Sequence, residues 1–118
     1  TYTRAVEYRF DEKKRTIRQI WESESGPSPE SVVSVAMGNT ERLPRTGNIL
    51  VSYGALMRPA EKQRADTWNV AGSGGWTRIR EYTYTRPARL VWEAVIRDPS
   101  EKMGWQLFCG VRWASMTP

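Results

Sequence analysis

The sequence predicts an all-β fold made of the antiparallel four-stranded blades of a β-propeller, about one full blade plus parts of two neighbours. Three observations carry that expectation. The first is self-similarity: Thr3-Arg4-Ala5-Val6-Glu7-Tyr8 and Thr77-Arg78-Ile79-Arg80-Glu81-Tyr82 open two stretches 74 residues apart. Each is followed by a polar turn and a strand closing on Ile20-Trp21-Glu22 or Val91-Trp92-Glu93, and a fixed period of this kind marks a repeat architecture. The second is alternation of apolar and polar residues with the period of a strand. The third is composition: Val, Ile, Tyr, Thr and six Trp are spread along the 118 residues, which suits half-buried pleated surfaces with an aromatic core.

In chain order, residues 3–10 place Val6, Tyr8 and Phe10 on one face of a strand, and Asp11 to Arg15 form a charged turn. Thr16 to Glu22 returns with Ile17, Gln19 and Trp21 on one face, so residues 3–22 are an outer hairpin. Gly26, Pro27 and Pro29 keep 23–31 a loop. Residues 34–96 are expected to form the complete blade. Its inner hairpin runs from Ser34 to Leu43 and from Ile49 to Tyr53. Gly47-Asn48 tolerates positive φ in the connection, and Gly54 ends the strand. Residues 55–75 read as a long irregular loop with one helical turn around Ala60 to Asp66. The outer hairpin then recurs as Trp76 to Thr85 and Arg89 to Ile96, around Arg86-Pro87-Ala88. A loop over 97–104 leads to a closing strand, 105–115.

A propeller blade is a four-stranded meander running outward from the axis. This order therefore holds the outer half of one blade, a whole blade and an inner strand of a third. Such a piece has open sheet edges, and its expected partners are the remaining propeller blades or another copy of the chain. A chain that opens at a Thr already inside a strand reads as a processed or excised segment.

Composition narrows the chemistry. The chain has no histidine and one cysteine, Cys109. Histidine general acid–base catalysis, a Ser-His-Asp triad, a His-Cys zinc site, a multi-cysteine metal site and an internal disulfide are all excluded. No metal or cofactor is expected. No apolar run is long enough to span a membrane, and no signal peptide is present. The net charge of +5 raises the question of a polyanionic partner, but only Lys13-Lys14-Arg15 forms a run, read here as a solvated hairpin tip. The aromatics follow the repeat instead of clustering with the cations, which speaks against a nucleic-acid interface. Gly72-Ser73-Gly74-Gly75 lacks the ending of a phosphate loop and reads as a hinge.

Residues that recur in both copies are expected to serve architecture: Trp21 and Trp92 in blade packing, Arg4 and Arg78 in ion pairs, Tyr8 and Tyr82 in the core or at a blade edge. Glu7, Glu22, Glu81 and Glu93 recur as well, which argues against a paired-carboxylate centre. Cys109, within an apolar strand, is expected to be buried and inert. Trp68, in the long loop, is the tryptophan best placed for a surface contact. Inner strands line a propeller's channel, so Asn39 and Arg112 are the two candidate substrate-binding residues, and no residue is assigned a catalytic role.

Four pieces in order resemble one family. Thr3-Arg4-Ala5-Val6-Glu7-Tyr8-Arg9, a turn and Thr16-Ile17-Arg18-Gln19-Ile20-Trp21-Glu22 come first. Leu43-Pro44-Arg45-Thr46-Gly47-Asn48-Ile49-Leu50-Val51-Ser52-Tyr53-Gly54 follows, then Arg78-Ile79-Arg80-Glu81-Tyr82 with Leu90-Val91-Trp92-Glu93, and finally Gly104-Trp105-Gln106-Leu107-Phe108-Cys109-Gly110-Val111-Arg112. This series resembles the late propeller segment of bacterial aryl-sulfate sulfotransferases, with Cys109-Gly110 where Arg-Ala is usual. The resemblance implies a periplasmic or extracytoplasmic six-bladed propeller that moves a sulfuryl group from an aryl sulfate to a phenol through a transient sulfo-histidine. The family's histidines lie upstream of the matching segment, so what the resemblance implies is a transferase as the parent and a structural role for this segment alone. A non-catalytic propeller module for binding or scaffolding is the alternative, and a basic Trp-rich nucleic-acid-binding domain a third.

Overall fold

The computed structural model describes residues 2–56, 75–100 and 104–112. Among them there are six strands and no helix: β1 (Val6–Asp11), β2 (Thr16–Glu22), β3 (Gly38–Arg42), β4 (Ile49–Leu56), β5 (Trp76–Tyr82) and β6 (Leu90–Ile96). The fold is all-β and antiparallel. β1 and β2 form a two-stranded sheet, and β3-β4-β5-β6 form a four-stranded sheet whose neighbours are consecutive in the chain. That meander has the strand order of one propeller blade. The helical turn expected around 60–66, Trp68 and most of the 55–75 loop lie outside the described residues.

The two outer hairpins pair equivalent residues. In β1–β2, Val6 faces Glu22, Glu7 faces Trp21 and Tyr8 faces Gln19. In β5–β6, Arg80 faces Glu93, Glu81 faces Trp92 and Tyr82 faces Leu90. Each carries its register shift at the same step, between Glu7 and Tyr8 and between Glu81 and Tyr82. A bulge at one place in both copies re-aims the residues that follow. At the tip of the first hairpin, Asp11 accepts the Lys14 backbone N–H at 3.0 Å, and Arg15 takes positive φ.

The core lies between the two sheets. β4 is buried along its whole length, because its run Ile49-Leu50-Val51-Ser52-Tyr53-Gly54-Ala55-Leu56 is central and covered on both faces. Directly opposed residues share a face of a sheet. Ile49, Val51 and Tyr53 thus share one face with Tyr82, Arg80 and Arg78. That face packs against Ala5 and Trp21 of the hairpin and Val32 of the loop that follows. Trp21 is 2% exposed, stacks on Tyr84 at 5.9 Å between ring centroids, and donates its indole N–H to the Thr83 carbonyl at 3.3 Å.

Two expectations about β4 and the C-terminal stretch change. Gly54 does not end its strand; β4 continues to Leu56, with an irregularity in its pairing after Tyr53. The glycine is there for close approach: a Cβ on Gly54 would collide with the Leu107 carbonyl, and glycine inside a strand often marks such contact. Residues 104–112 belong to neither sheet. They run as an extended segment held by the amides of Trp105, Leu107 and Gly38, which donate to Gly75, Gly54 and Phe108 respectively. Cys109 in this segment is exposed, because no described element covers its outer side.

Trp92 also departs from expectation. It is 48% exposed, and β6 is exposed at six of its seven positions. β6 is the last strand of the sheet, and no described element lies against it.

Candidate functional site

The face of the sheet turned away from the core receives residues 104–112, and both candidate binding residues sit beneath or within that segment. The Asn39 side chain donates to the Gly110 carbonyl at 3.2 Å and accepts the Gly110 N–H at 2.8 Å. Its amide thus reproduces the two bonds of a strand pair and fastens the segment to β3. Arg112 ion-pairs with Glu81, whose other oxygen accepts from the Asn48 amide at 2.7 Å. Glu81 is buried, so its charge requires these partners. The structure therefore gathers Asn39, Asn48, Glu81 and Arg112 on one face, with each polar group engaged by another part of the chain.

Gly110 is required there. A Cβ would press on the Ser52 hydroxyl and the Ile79 side chain. That hydroxyl is buried and, among the described residues, without a hydrogen-bond partner, and it would have to be displaced to admit a methyl group.

The opposite face holds a buried cation that sequence reasoning missed. Arg80, 3% exposed, lies at the floor of a cavity of about 470 Å³ lined by the 23–30 loop, Tyr82 and the turn at Arg86-Pro87-Ala88. Its Nε donates to Glu93 at 2.6 Å and its Nη2 to the Glu30 carbonyl at 2.9 Å. Its Nη1 reaches Glu24 at 3.2 Å and the Tyr82 hydroxyl at 3.3 Å. Tyr82 in turn donates to Glu24 at 2.9 Å and stands 3.3 Å from the Tyr53 hydroxyl. Since the Tyr82 proton is committed to Glu24, Tyr53 is the donor in that last pair.

The electrostatics follow from burial. Desolvation opposes the Arg80 charge, but the Glu93 hydrogen bond and Tyr82 outweigh it and raise its pKa further. Tyr82 and Tyr53 are both raised, chiefly by burial. A guanidinium with four of its five N–H groups given to two carboxylates, a hydroxyl and a carbonyl has no fork free for a ligand. Arg80 therefore ties the 23–30 loop to the sheet. One sequence signal points to it: Arg80 stands where the first copy has Val6, the sharpest change of character between the two hairpins.

The recurring arginines are structural pairs. Arg4 meets Glu22 at 3.1 Å and Arg78 meets Glu93 at 3.5 Å, in equivalent places. Of the other recurring acids, Glu7 accepts from the Tyr84 hydroxyl at 2.7 Å and Glu81 is held as above. Tyr82 is buried, whereas Tyr8 is 46% exposed. Among the described residues no group of three or more acidic, Cys or His side chains could hold a metal, and no helix is long and apolar enough to cross a membrane.

Comparison with known proteins places these features. The family model described as arylsulfotransferase (ASST) matches residues 1–105. No curated protein and no solved structure matches the chain. The match spans both hairpins, the inner pair β3–β4 and the start of the segment that Asn39 fastens, and on this ground the chain belongs to the arylsulfotransferase family.

Proposed function

We propose that this chain is the late propeller segment of a nucleotide-independent aryl-sulfate sulfotransferase, supplying blade walls to a funnel whose nucleophile lies outside these residues. The family match over residues 1–105 carries the reading. The four-stranded meander β3–β6, with a two-stranded sheet packed on one face and an extended segment on the other, supports it. In this reading β1–β2 is the outer half of the preceding blade and residues 104–112 approach the place of the next inner strand. The remaining blades are the chain's partners, and the whole protein works in the periplasm or another extracytoplasmic space.

The chemistry divides accordingly. Sulfuryl transfer from an aryl sulfate to a phenol proceeds in two easier steps when a histidine takes the group first. Fixed cations then offset charge on the transferring oxygens. The chain has no histidine, and Arg80 and Arg112 are already paired with carboxylates. Its part is to hold the wall rigid while other blades supply the nucleophile and the free cations.

The test is an assay of 4-nitrophenyl sulfate with a phenol acceptor. The 118-residue chain alone is expected to release no nitrophenol. The same chain within its longer protein is expected to turn over by a ping-pong mechanism that is lost when the histidine at the axis is replaced. Turnover by the 118 residues alone would overturn the division of labour. An inactive longer protein that still folds would favour a non-catalytic propeller module.

A further inference from the structure

A second cavity, of about 400 Å³, lies between the β1–β2 hairpin and residues 84–86 of the turn after β5. It is lined by Arg9, Arg18 and Arg86, with Ile20, Trp21, Tyr84 and Thr85. No acidic residue lines it, in contrast to the cavity above Arg80, which has Glu22, Glu24 and Glu30 in its wall. Arg9 and Arg18 are direct cross-strand partners, and like charges so placed repel each other. Among the described residues none of the three arginines has an ion pair or side-chain hydrogen bond, whereas Arg4, Arg78, Arg80 and Arg112 each hold a carboxylate. The nearby Glu7 is occupied by the Tyr84 hydroxyl. Arg42, 4.0 Å over the Tyr84 ring, adds a further positive charge behind it.

The hairpin does not need this arrangement. Thr83 and Arg89 hold the equivalent places in β5–β6 and the residues flanking it, where the Thr83 amide donates to the Arg89 carbonyl at 2.9 Å. The second copy therefore keeps the pairing with one cation in place of two. An opposed, unneutralised arginine pair that the architecture can do without is a cost to the free protein, and a bound anion would remove it.

We infer that this cavity binds a multiply charged phosphoryl group, as a phosphate monoester or a pyrophosphate. Guanidinium forks match tetrahedral oxyanions in bidentate geometry. Three of them with no acid in the wall favour a group carrying about two negative charges over a singly charged sulfate ester. Ile20 and the edge of the Trp21–Tyr84 stack form an apolar side against which the organic part of an ester lies.

The test uses the full chain with three probes: inorganic pyrophosphate, phenyl phosphate and phenyl sulfate, followed by calorimetry and by thermal unfolding. Pyrophosphate and phenyl phosphate are expected to compete for one site, with phenyl sulfate weaker by about tenfold or more. Arg9→Gln and Arg18→Gln are each expected to weaken pyrophosphate by about tenfold. Without anion, each is expected to melt no lower than the parent, because the repulsion is gone. Replacing Lys13 and Lys14 by Gln at the hairpin tip removes two charges and is expected to leave affinity within about twofold. Equal losses in the tip variant would show a diffuse basic surface and overturn the inference. Equal affinity for phenyl phosphate and phenyl sulfate, or no binding at all, would do the same.

Discussion

Trp21 and Trp92 hold the same place in two copies of one hairpin, each opposite a glutamate, yet Trp21 is 2% exposed and Trp92 is 48% exposed. The difference lies in what stands beside each strand. β2 packs its tryptophan against Tyr84 and the four-stranded sheet, while β6 has no described element against it. Trp21→Ala is expected to cost about 3–5 kcal/mol through the cavity it leaves, and Trp92→Ala about 1 kcal/mol or less. Urea unfolding of the two variants checks this, and equal losses would mean that Trp92 is covered in solution.

Arg80 ties the 23–30 loop to the sheet through Glu24 and the Glu30 carbonyl, with Glu93 of β6 as its partner within the sheet. Removing one partner of a buried ion pair strands the others. Arg80→Ala is expected to cost about 3 kcal/mol, with Glu24 and the Tyr82 hydroxyl left facing an empty site. Arg80→Lys keeps the charge but loses the fork, and should fall between the two. An exposed-residue cost of about 0.5 kcal/mol for Arg80→Ala would contradict the burial and the contacts together.

Asn39 is the fastener of residues 104–112. Asn39→Ala should leave the two sheets intact while the Gly110 amide loses protection from hydrogen exchange, as a local opening. The cost is expected at about 1–2 kcal/mol for the two lost bonds. Gly54→Ala should free the same segment by a different route, since its Cβ would occupy the position of the Leu107 carbonyl. If exchange at Gly110 stays slow in both variants, the segment is held by other contacts.

Alkaline pH should weaken the fold through Tyr53 and Tyr82. Both hydroxyls are raised above the ordinary tyrosine value by burial, so the folded state keeps protons that the unfolded state gives up. Their contribution is complete below the unfolded pKa of about 10 and is lost as the pH rises beyond it. Tyrosinate absorbance should therefore develop in two stages, the second coinciding with loss of structure. Ionisation of all five tyrosines near pH 10 with the circular dichroism unchanged would refute this.

The sheet pattern was legible because strand pairing leaves a local trace. Both outer hairpins, the turn after Asp11 and the Gly47-Asn48 connection are readable from alternation and turn chemistry. The ion pairs of Arg4 and Arg78 are readable too, because equivalent residues find equivalent partners. Less was legible of the sites. Arg80 looks like one more charged residue in a strand until Glu24, 56 residues away, and Glu93 are brought to it. Sequence position suggests Asn39 and Arg112 as residues near a propeller axis; the structure shows them engaged with Gly110 and Glu81.

Taken by itself, the sequence determined the all-β class, the repeated hairpin, the family and the absence of a histidine, because each depends on residue identity and short spacing. Only the tertiary structure decided which copy of a repeated residue is buried, which arginines are neutralised and which stand unpaired, and why Gly54 and Gly110 must lack side chains. Those outcomes depend on what lies across a sheet face or beyond a sheet edge. Two equal segments of chain acquire different chemistry when only one of them is covered.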